Sequence, residues 1–235
     1  MAEDQKVAIV TGSGRGMGAA TAKELHERGY RLALMSPSES ALKLAEELGA
    51  VGHQGSTAVA SDLEILVKKT LEAYGRIDGV VNHTGGPPKG DLLEISDESW
   101  IQGLDLVILS VVRMCRLVTP VMEQQGGGAI VNITTFSAFE PDLKFPVSST
   151  FRAGIGAFTK LYSDRYGAQN IRMNSVMPGY IDSLNIPEDW VKGAAMKRVG
   201  KVDEIAKTVA FLLSDDAGYI TGQNIRVDGG ITRHV

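Results

Sequence analysis

Residues 6–18, KVAIVTGSGRGMG, decide the fold because they join a short apolar strand to a glycine-rich turn that opens a helix. Residues 7–10 are all apolar, which is typical of a parallel strand covered on both faces. The glycines free the bend of side chains, so main-chain N–H groups can approach an anion at a helix N-terminus. They are Gly12, Gly14, Gly16 and Gly18. The stretch predicts a pyrophosphate-binding turn, with a purely structural bend as the alternative.

Composition narrows the range of partners. The 235 residues carry 24 Lys and Arg against 28 Asp and Glu, a net charge of −4, with no basic run for nucleic acid. The acidic start MAEDQK leads straight into the first strand, and no apolar run has the roughly 20 residues of a membrane span. We therefore expect a cytoplasmic protein with small-molecule partners, no membrane association and no signal peptide.

Cysteine and histidine usage gives no support for a metal site. Cys115 is the single cysteine, which rules out an intrachain disulfide and a thiolate cluster. His26, His53, His83 and His234 lie far apart without a ligand spacing. We predict no metal.

Apolar runs and helical stripes alternate along the chain. Further strands are predicted over residues 31–35, 51–56, 79–82, 128–134, 171–177 and within 219–230, with the polar third strand at an edge. Ser61 and Glu64 have the spacing of a capping box, and a helix is expected after Ser96. One helix over residues 100–122 is apolar on most sides, so it must be covered on most sides.

The motifs in their order resemble the short-chain dehydrogenase/reductase family. They are TGSGRGMG, GRID, NHTG in place of Asn-Asn-Ala-Gly, IVNIT, IRMNSVMPG and TGQNIRVDGG, and they span nearly the whole chain. The resemblance implies an α/β fold: one Rossmann-like domain over residues 1–235, with a doubly wound parallel sheet of about seven strands flanked by helices. It also implies a short substrate lid at about 183–198 and a homo-oligomer, tetramer or dimer, formed through the apolar helix.

The resemblance also implies a nicotinamide cofactor. Ser36 follows the second strand where NAD-binding relatives carry an acid, and Arg15 lies where NADP-binding relatives carry a base, so NADP(H) is favoured over NAD(H). Capping of the next helix by Ser36 and Ser38 is the alternative. The family usually carries an aspartate near Ser56 that contacts the adenine, so the serine implies either weaker adenine recognition or recognition by backbone groups. The expected cofactor-binding residues are Gly12, Arg15, Gly16, Met17, Gly18, Ser36, Asn82, Gly85, Arg152, Pro178, Gly179 and Ile181.

The family's catalytic tetrad of Asn, Ser, Tyr and Lys is replaced throughout. Aligned on IVNIT, the serine position is Thr135, the tyrosine position is Ser148 and the lysine position is Arg152, so SSTFR stands for YxxxK. The asparagine position, judged from LDLVILSVV, is Val107. Thr135 keeps a hydroxyl, but Ser148 is shorter and a far weaker acid than a phenol of pKa about 10. Arg152 keeps a charge that can hold the ribose but cannot relay protons as lysine can.

Tyr180 is the alternative acid, because it directly follows Pro178-Gly179, where the family contacts nicotinamide or substrate. Packing of its ring with an exposed hydroxyl is the competing interpretation. Glu140, Asp142 and Lys144 lie in a loop beside the expected pocket, whereas Tyr162 belongs to the core and His83 to a hydrogen-bonded turn. Two hypotheses follow. The one that we favour is an NADP(H)-dependent oxidoreductase that acts on a carbonyl or alcohol, with the candidate catalytic residues Thr135, Ser148, Arg152 and Tyr180. The alternative is a catalytically silent nucleotide-binding protein that acts as a sensor or as a structural subunit.

Overall fold

A computed structural model describes residues 5–234 and contains a seven-stranded parallel sheet. The strand order is β3-β2-β1-β4-β5-β6-β7. The strands are β1 (Val7–Thr11), β2 (Arg31–Ser36), β3 (Val51–Gln54), β4 (Gly79–Asn82), β5 (Gly128–Ile133), β6 (Ile171–Pro178) and β7 (Asn224–Val227). The helices are α1 (Gly16–Glu27), α2 (Ser40–Glu47), α3 (Ala60–Tyr74), α4 (Asp97–Leu104), α5 (Ser110–Gln125), α6 (Pro146–Tyr166), α7 (Glu188–Val191) and α8 (Val202–Leu213).

Two apolar layers cover the two faces of the sheet. Alternate residues of β1 point to opposite faces, so Val10 joins α1, α2 and α8 in one cluster while Ile9 joins α3, α5 and α6 in the other. The order reverses between β1 and β4, which places a crevice beyond the carboxyl ends of these strands. This is the predicted doubly wound fold, with β3 at an edge as expected. No helix among residues 5–234 is long and apolar enough to cross a bilayer.

The capping box predicted at the third helix is wrong. Helix α3 begins at Ala60, after Val59, and Val59 makes no side-chain cap. Ser61 therefore already lies inside the helix. The predicted helix start after Ser96 is confirmed, since α4 begins at Asp97 and the Ser96 hydroxyl accepts a hydrogen bond from the Ser99 N–H.

The long apolar helix is interrupted by a turn of π-helix over residues 105–109, between α4 and α5. Val107 is buried in the middle of this turn, at 4 % exposure. The wider winding leaves carbonyls to be satisfied, and the Ser110 hydroxyl donates towards the carbonyls of Leu106 and Val107 at 2.7 and 3.2 Å. A single α-helical period does not describe this segment, because the π turn contains more residues than an α-helical turn and so rotates the apolar face of the helix.

A buried polar chain ties the central strands to α6. The Asn82 amide donates to Asn132 Oδ1 at 2.9 Å, and the Asn132 amide donates to Thr159 Oγ1 at 3.2 Å. Thr159 in turn lies 2.8 Å from the Ser175 hydroxyl. Since buried polar groups without partners are costly, this chain fixes the register of β4, β5 and β6 beneath the crevice. Asn82, predicted to bind cofactor, is thus placed in the layer that supports the site.

Candidate active site

The glycine turn is shaped by contacts that leave no room for side chains. Gly12 has a φ of +60°, and a Cβ there would lie 2.6 Å from the carbonyl oxygen of His83. A Cβ on Gly18 would lie 2.2 Å from the carbonyl oxygen of Gly12. Helix α1 begins after exposed Arg15 with no side-chain cap and no acid in its first turn. Free N–H groups of a helix N-terminus therefore face the crevice, as an anion requires.

The end of β2 supplies a cluster of serine hydroxyls. A Cβ on Gly14 would lie 2.1 Å from Ser40 Oγ and 2.7 Å from Ser36 Oγ. The Ser38 and Ser40 hydroxyls are 2.7 Å apart, and the Ser36 hydroxyl donates to the Ser38 carbonyl at 2.9 Å. The interpretation of Ser36 and Ser38 as caps of α2 is wrong, because α2 begins without a side-chain cap. The hydroxyls instead line the space beside the glycine turn.

An acidic side chain lies next to Ser56 after all. Asp62, from the first turn of α3, accepts a hydrogen bond from the Ser56 N–H at 2.7 Å. Gly55 makes room for it, since a Cβ on Gly55 would lie 2.8 Å from the Asp62 side chain. A carboxylate therefore reaches the region of the family's aspartate from a different position in the sequence. The spacing of six residues gives no motif, so the sequence did not reveal it.

His83 directly follows β4 and contacts the glycine turn after β1. Its Nδ1 lies 3.3 Å from the Gly12 carbonyl, and the Thr11 hydroxyl donates to its carbonyl at 2.9 Å. Burial and the nearby charge of Arg152 lower the pKa of His83 to about 4, so the ring is neutral near pH 7. The hydrogen bond supports the interpretation of His83 as a structural residue of this turn.

The four tetrad positions differ in what they face. Thr135 follows β5, and its hydroxyl lies 3.2 Å from that of Ser137. Ser148 lies half-buried in the first turn of α6, one helical turn before Arg152, while Val107 is enclosed by apolar side chains. Thr135 and the Arg152 guanidinium thus lie at the carboxyl end of β5, where Arg152 bonds the Thr134 carbonyl. Val107 presents no polar group to them.

The Arg152 guanidinium is buried at the strand ends. Its Nη1 donates to the carbonyls of Ile133 and Thr134 at 3.1 and 2.9 Å. Its Nη2 donates over longer distances, 3.4 Å to the Thr84 hydroxyl and 3.3 Å to the Gly85 carbonyl. Burial lowers the pKa of Arg152 to about 10, which leaves it a cation at neutral pH. Arg152 therefore bridges the ends of β4 and β5.

Tyr180 lies in an aromatic wall. Its ring centroid is 5.1 Å from that of Phe136 and 5.3 Å from that of Trp190, which belongs to α7. Phe145 extends the wall at 6.3 Å from Trp190. Burial, the largest cause, raises the pKa of Tyr180, although Lys144 acts in the opposite direction. The phenol therefore stays protonated near neutral pH and resists ionisation.

The remaining predicted cofactor residues line the crevice or support it. Gly179 packs on Asp228 and donates to the Val227 carbonyl at 3.1 Å, directly after Pro178 ends β6. Ile181 is buried, and Met17 packs against the same apolar cluster. Gly16, at a φ of +57°, faces Ser183 of the expected lid, whose Cβ would lie 3.0 Å from an added Cβ. The segment after β6 therefore contacts the glycine turn.

Beside the pocket, the expected loop is tied to the C-terminal tail. Glu140 accepts a hydrogen bond from the Arg233 N–H at 2.8 Å, and Asp142 pairs with Lys144 at 3.3 Å. A cavity of about 80 Å³ lies behind Tyr180, between residues 191–200 and the turn after β7. Sequence reasoning singled out Tyr180 but missed its aromatic neighbours Phe136, Phe145 and Trp190, and also Ser40. Their contacts join segments up to tens of residues apart, and no local pattern marks them.

Comparison with known proteins agrees with this architecture. The model of a family described as enoyl-(acyl carrier protein) reductase matches residues 12–232. A 3-oxoacyl-[acyl-carrier-protein] reductase FabG of Chlamydia muridarum is 35% identical over 240 residues, covering 96% of this chain and 97% of the relative. A 7alpha-hydroxysteroid dehydrogenase of Bacteroides fragilis is 33% identical over 248 residues, covering 98% and 96% respectively.

A solved structure has the same fold. It is L-sorbose reductase from Gluconobacter frateurii, complexed with NADPH and L-sorbose, with a TM-score of 0.89, 27% identity and 98% coverage of both chains. The chain belongs to the short-chain dehydrogenase/reductase family, a family of NAD(P)-dependent oxidoreductases that act on small molecules. The expected family, fold and enzyme class are thereby confirmed.

Proposed function

We propose that this protein is an NADP(H)-dependent oxidoreductase that interconverts a carbonyl and an alcohol with an altered catalytic tetrad. The observation that carries the proposal is the glycine turn, whose contacts exclude side chains beside a helix N-terminus without a cap. Such a turn suits a dinucleotide pyrophosphate. The relatives named above include reductases and a dehydrogenase, and one of them is complexed with NADPH.

The residues present fit this cofactor. In our proposal the N–H groups at the start of α1 hold the pyrophosphate, and Arg15 with the Ser36 and Ser38 hydroxyls receives the 2′-phosphate. Asp62 and the Ser56 main chain border the adenine. Gly85, Arg152, Gly179 and Ile181 surround the nicotinamide half. When bound, the nicotinamide supplies or accepts the hydride.

The chain's own groups would orient the substrate and exclude water. Thr135 donates a hydrogen bond to the substrate oxygen, and the aromatic wall with the lid at about 183–198 encloses the reacting carbon. Ser148 is a poor acid, so the proton reaches the alkoxide from water or from Tyr180. The raised pKa of Tyr180 keeps its proton available but makes its loss harder, which favours water.

A second candidate function is a nucleotide-binding subunit without turnover. The replacement of the Tyr and Lys positions by Ser148 and Arg152 favours it, since the cofactor turn is retained while the usual acid is missing. Turnover separates the two. Steady oxidation of NADPH with any carbonyl supports the enzyme. Stoichiometric NADPH binding, without oxidation across a broad panel of aldehydes and ketones, supports the binding protein.

We also propose a homo-oligomer, most simply a tetramer, that buries the helix from α4 to α5. Several large apolar residues of this helix, such as Leu104, Ile108 and Leu117, are only partly buried within one chain. Light scattering at micromolar concentration is expected to give a mass of two or four times 25.1 kDa. A monomer would contradict this proposal without affecting the proposed chemistry.

A further inference from the structure

The C-terminal tail, residues 231–234, contacts both loops that leave the carboxyl ends of β5 and β6. These two strands are neighbours in the parallel sheet, so the loops that follow them border the same part of the crevice. The Arg233 N–H donates to Glu140 Oε1 at 2.8 Å, in the loop between β5 and α6. Arg233 Nη2 donates to the Gly193 carbonyl at 2.6 Å, in the segment 183–198 proposed as the lid. One residue of the tail therefore links the two loops.

The tail is itself anchored to β7, the last strand of the sheet. The Asp228 carboxylate, directly after β7, accepts hydrogen bonds from the Gly230 N–H at 2.9 Å and from the Thr232 N–H and hydroxyl at 3.1 and 2.8 Å. Arg226 of β7 donates through Nη1 to the His234 carbonyl at 2.8 Å. The tail is thus fixed near its start and at its end, and Arg233 lies between these two anchors.

The loop between β5 and α6 receives the tail through Phe139 and Glu140. The His234 ring lies edge-on to Phe139, with the ring centroids 5.7 Å apart, and the Arg226 guanidinium lies 4.6 Å from the centroid of the same Phe139 ring. His234 Nε2 is 3.5 Å from Glu140 Oε1, the oxygen that accepts the Arg233 N–H. A hydrogen bond to a carboxylate is stronger than one between neutral groups, so Glu140 is the main attachment on this side.

The second half of the lid runs along the turn that follows β7. The Met196 N–H donates to the Gly229 carbonyl at 3.0 Å, and the Ala195 N–H donates to the Gly230 carbonyl at 3.3 Å. Gly230 makes room for this approach, because a Cβ there would lie 2.8 Å from the Ala195 Cβ. At Gly229 the nearest atom to an added Cβ is 3.6 Å away, an ordinary contact distance. The lid is therefore seated against Gly230.

Arg233 reaches the lid just beyond its helix, α7. Helix α7 ends at Val191, and the Arg233 guanidinium meets the chain shortly afterwards, at the Gly193 carbonyl, through a hydrogen bond with a charged donor. The same helix carries Trp190, whose ring centroid lies 5.3 Å from that of Tyr180 in the aromatic wall. The bond from the tail therefore holds the helix whose tryptophan completes this wall.

We propose that Arg233 and Glu140 are positioning residues that keep the lid closed over the substrate, with the tail as the clasp between the lid and the loop after β5. The inference rests on the proposed function and adds how its site is closed. Both residues act through α7 and Trp190 rather than on the reacting atoms. A lid that spends less time closed binds substrate more weakly in proportion, because only the closed state encloses it.

A tail that only stabilises the fold is the competing explanation. Trypsin separates the two, because it cleaves after Lys192 and Lys197 in the lid and after Lys69 in α3. Opening of the lid speeds the two lid cleavages alone, whereas global unfolding speeds all three. The cleavage rates are followed by mass spectrometry on the full-length protein.

Arg233→Ala should speed cleavage at the two lid sites by at least about fivefold, the effect of losing one hydrogen bond with a charged donor at an exposed position. Cleavage in α3 should stay within about twofold of the wild type, because the global stability is retained. Arg233→Lys, which keeps a cation but not the guanidinium, should give an intermediate rate. Arg28→Ala is the matched control, since it removes another exposed arginine, paired with Glu24 on α1, and should change none of the rates.

Two further pairs of variants test the other contacts of the clasp. Glu140→Ala should speed lid cleavage as Arg233→Ala does, whereas Glu140→Gln keeps an oxygen that accepts the Arg233 N–H and should retain most of the protection. Gly230→Ala should open the lid, because its Cβ would collide with Ala195. Gly229→Ala has a similar φ, +63° against +73°, without the collision, and should open the lid less.

The clasp also predicts how the kinetic constants change. With a carbonyl that the wild type reduces, Arg233→Ala should raise KM by at least about fivefold without lowering kcat more than about twofold. A looser lid lowers the fraction of substrate that is bound, while the groups that act on the substrate are unchanged. The affinity for NADPH should stay within about twofold, since the clasp joins the lid to the loop after β5 rather than to the glycine turn.

The outcomes separate the clasp from the proposed function. Equal lid cleavage in the wild type, Arg233→Ala and Glu140→Ala would overturn the inference. Faster cleavage in α3 as well as in the lid would assign the tail to the stability of the fold and overturn it too. Steady turnover with an unchanged KM in every clasp variant would leave the oxidoreductase intact and contradict the clasp. A selective change in lid cleavage, without oxidation of NADPH by any carbonyl, would support the clasp and contradict the oxidoreductase.

Discussion

The turn after β1 and the junction of β5 with α6 lie on the same edge of the sheet, yet they depart from the family pattern in different ways. At the turn, Gly12 and Gly18 keep the backbone geometry even though His83 replaces the family's asparagine beside them. At the junction, the backbone is equally well formed, but the proposed replacement of the family's tyrosine and lysine by Ser148 and Arg152 would change the chemical groups. A site built from main-chain atoms tolerates new neighbours, whereas a site built from side chains changes its chemistry with each substitution.

The largest expected effect comes from restoring the side-chain chemistry at the junction. Val107→Asn, Ser148→Tyr and Arg152→Lys together should raise reduction of neutral carbonyls by about 10²- to 10⁴-fold, the usual contribution of a positioned acid. Ser148→Tyr alone should gain less, because Arg152 can stabilise a phenolate but cannot pass on its proton. NADPH oxidation with a panel of methyl esters and ketones measures the gain.

Tyr180→Phe is the companion variant for this experiment. If water supplies the proton, its rate should stay within about tenfold of the wild type, and a collapse of activity would identify Tyr180 as the acid. A triple variant that folds and binds NADPH without any gain would mean that the pocket has repacked around Ser148. Since Val107 is buried among apolar side chains, the fold of the triple variant is checked by thermal unfolding.

The next largest effect is expected at the backbone of the turn. Gly12→Ala should lower the free energy of unfolding by about 3 kcal/mol, because it combines a positive φ with a contact of 2.6 Å to the His83 carbonyl oxygen. Gly49 is a matched control: its φ is +61°, and no heavy atom lies within 4 Å of an added Cβ. Gly49→Ala should therefore cost only about 1 kcal/mol. Urea unfolding of both variants measures the difference, and equal losses would contradict the steric account.

His83 links the two regions through pH. Its pKa is about 4 in the folded protein against 6.5 in an unfolded chain, so the unfolded state binds the proton first as pH falls. The stabilisation from neutral His83 is complete above pH 6.5 and is lost between pH 6.5 and 4. Between pH 7 and 5 the wild type should lose about 2 kcal/mol more than His83→Asn in urea unfolding. Parallel pH profiles of the two proteins would refute this linkage.

The smallest effect is expected at the exposed rim of the turn. Arg15→Ala should weaken NADPH binding about tenfold and leave NADH binding within about twofold, since a solvent-exposed charge contributes modestly to a phosphate contact. Lys23→Ala removes a cation from the same helix and serves as the control. Fluorescence titration with both cofactors measures the preference. If the ratio of NADPH affinity to NADH affinity is unchanged in Arg15→Ala, the serine cluster rather than Arg15 would be assigned the contact with the 2′-phosphate.

Much of the fold could be predicted from the sequence because its signals are local. The apolar run before Gly12 and the helical stripes between glycines report burial within one element, and the doubly wound sheet is implied by the family motifs. The capping box at Ser61 failed because α3 already begins at Ala60, which places Ser61 inside the helix rather than at its cap. The π turn around Val107 was missed because a periodicity count assumes a constant helical pitch.

The sequence by itself determined the α/β class and the glycine turn and predicted the replacement of the tetrad, since each is a statement about residue types at fixed spacings. Only the tertiary structure decided what surrounds them. It placed Asp62 beside Ser56, assembled the aromatic wall around Tyr180 and enclosed Arg152 among main-chain carbonyls. These contacts join segments that the chain separates, and the charge balance of a site depends on which side chains meet in space.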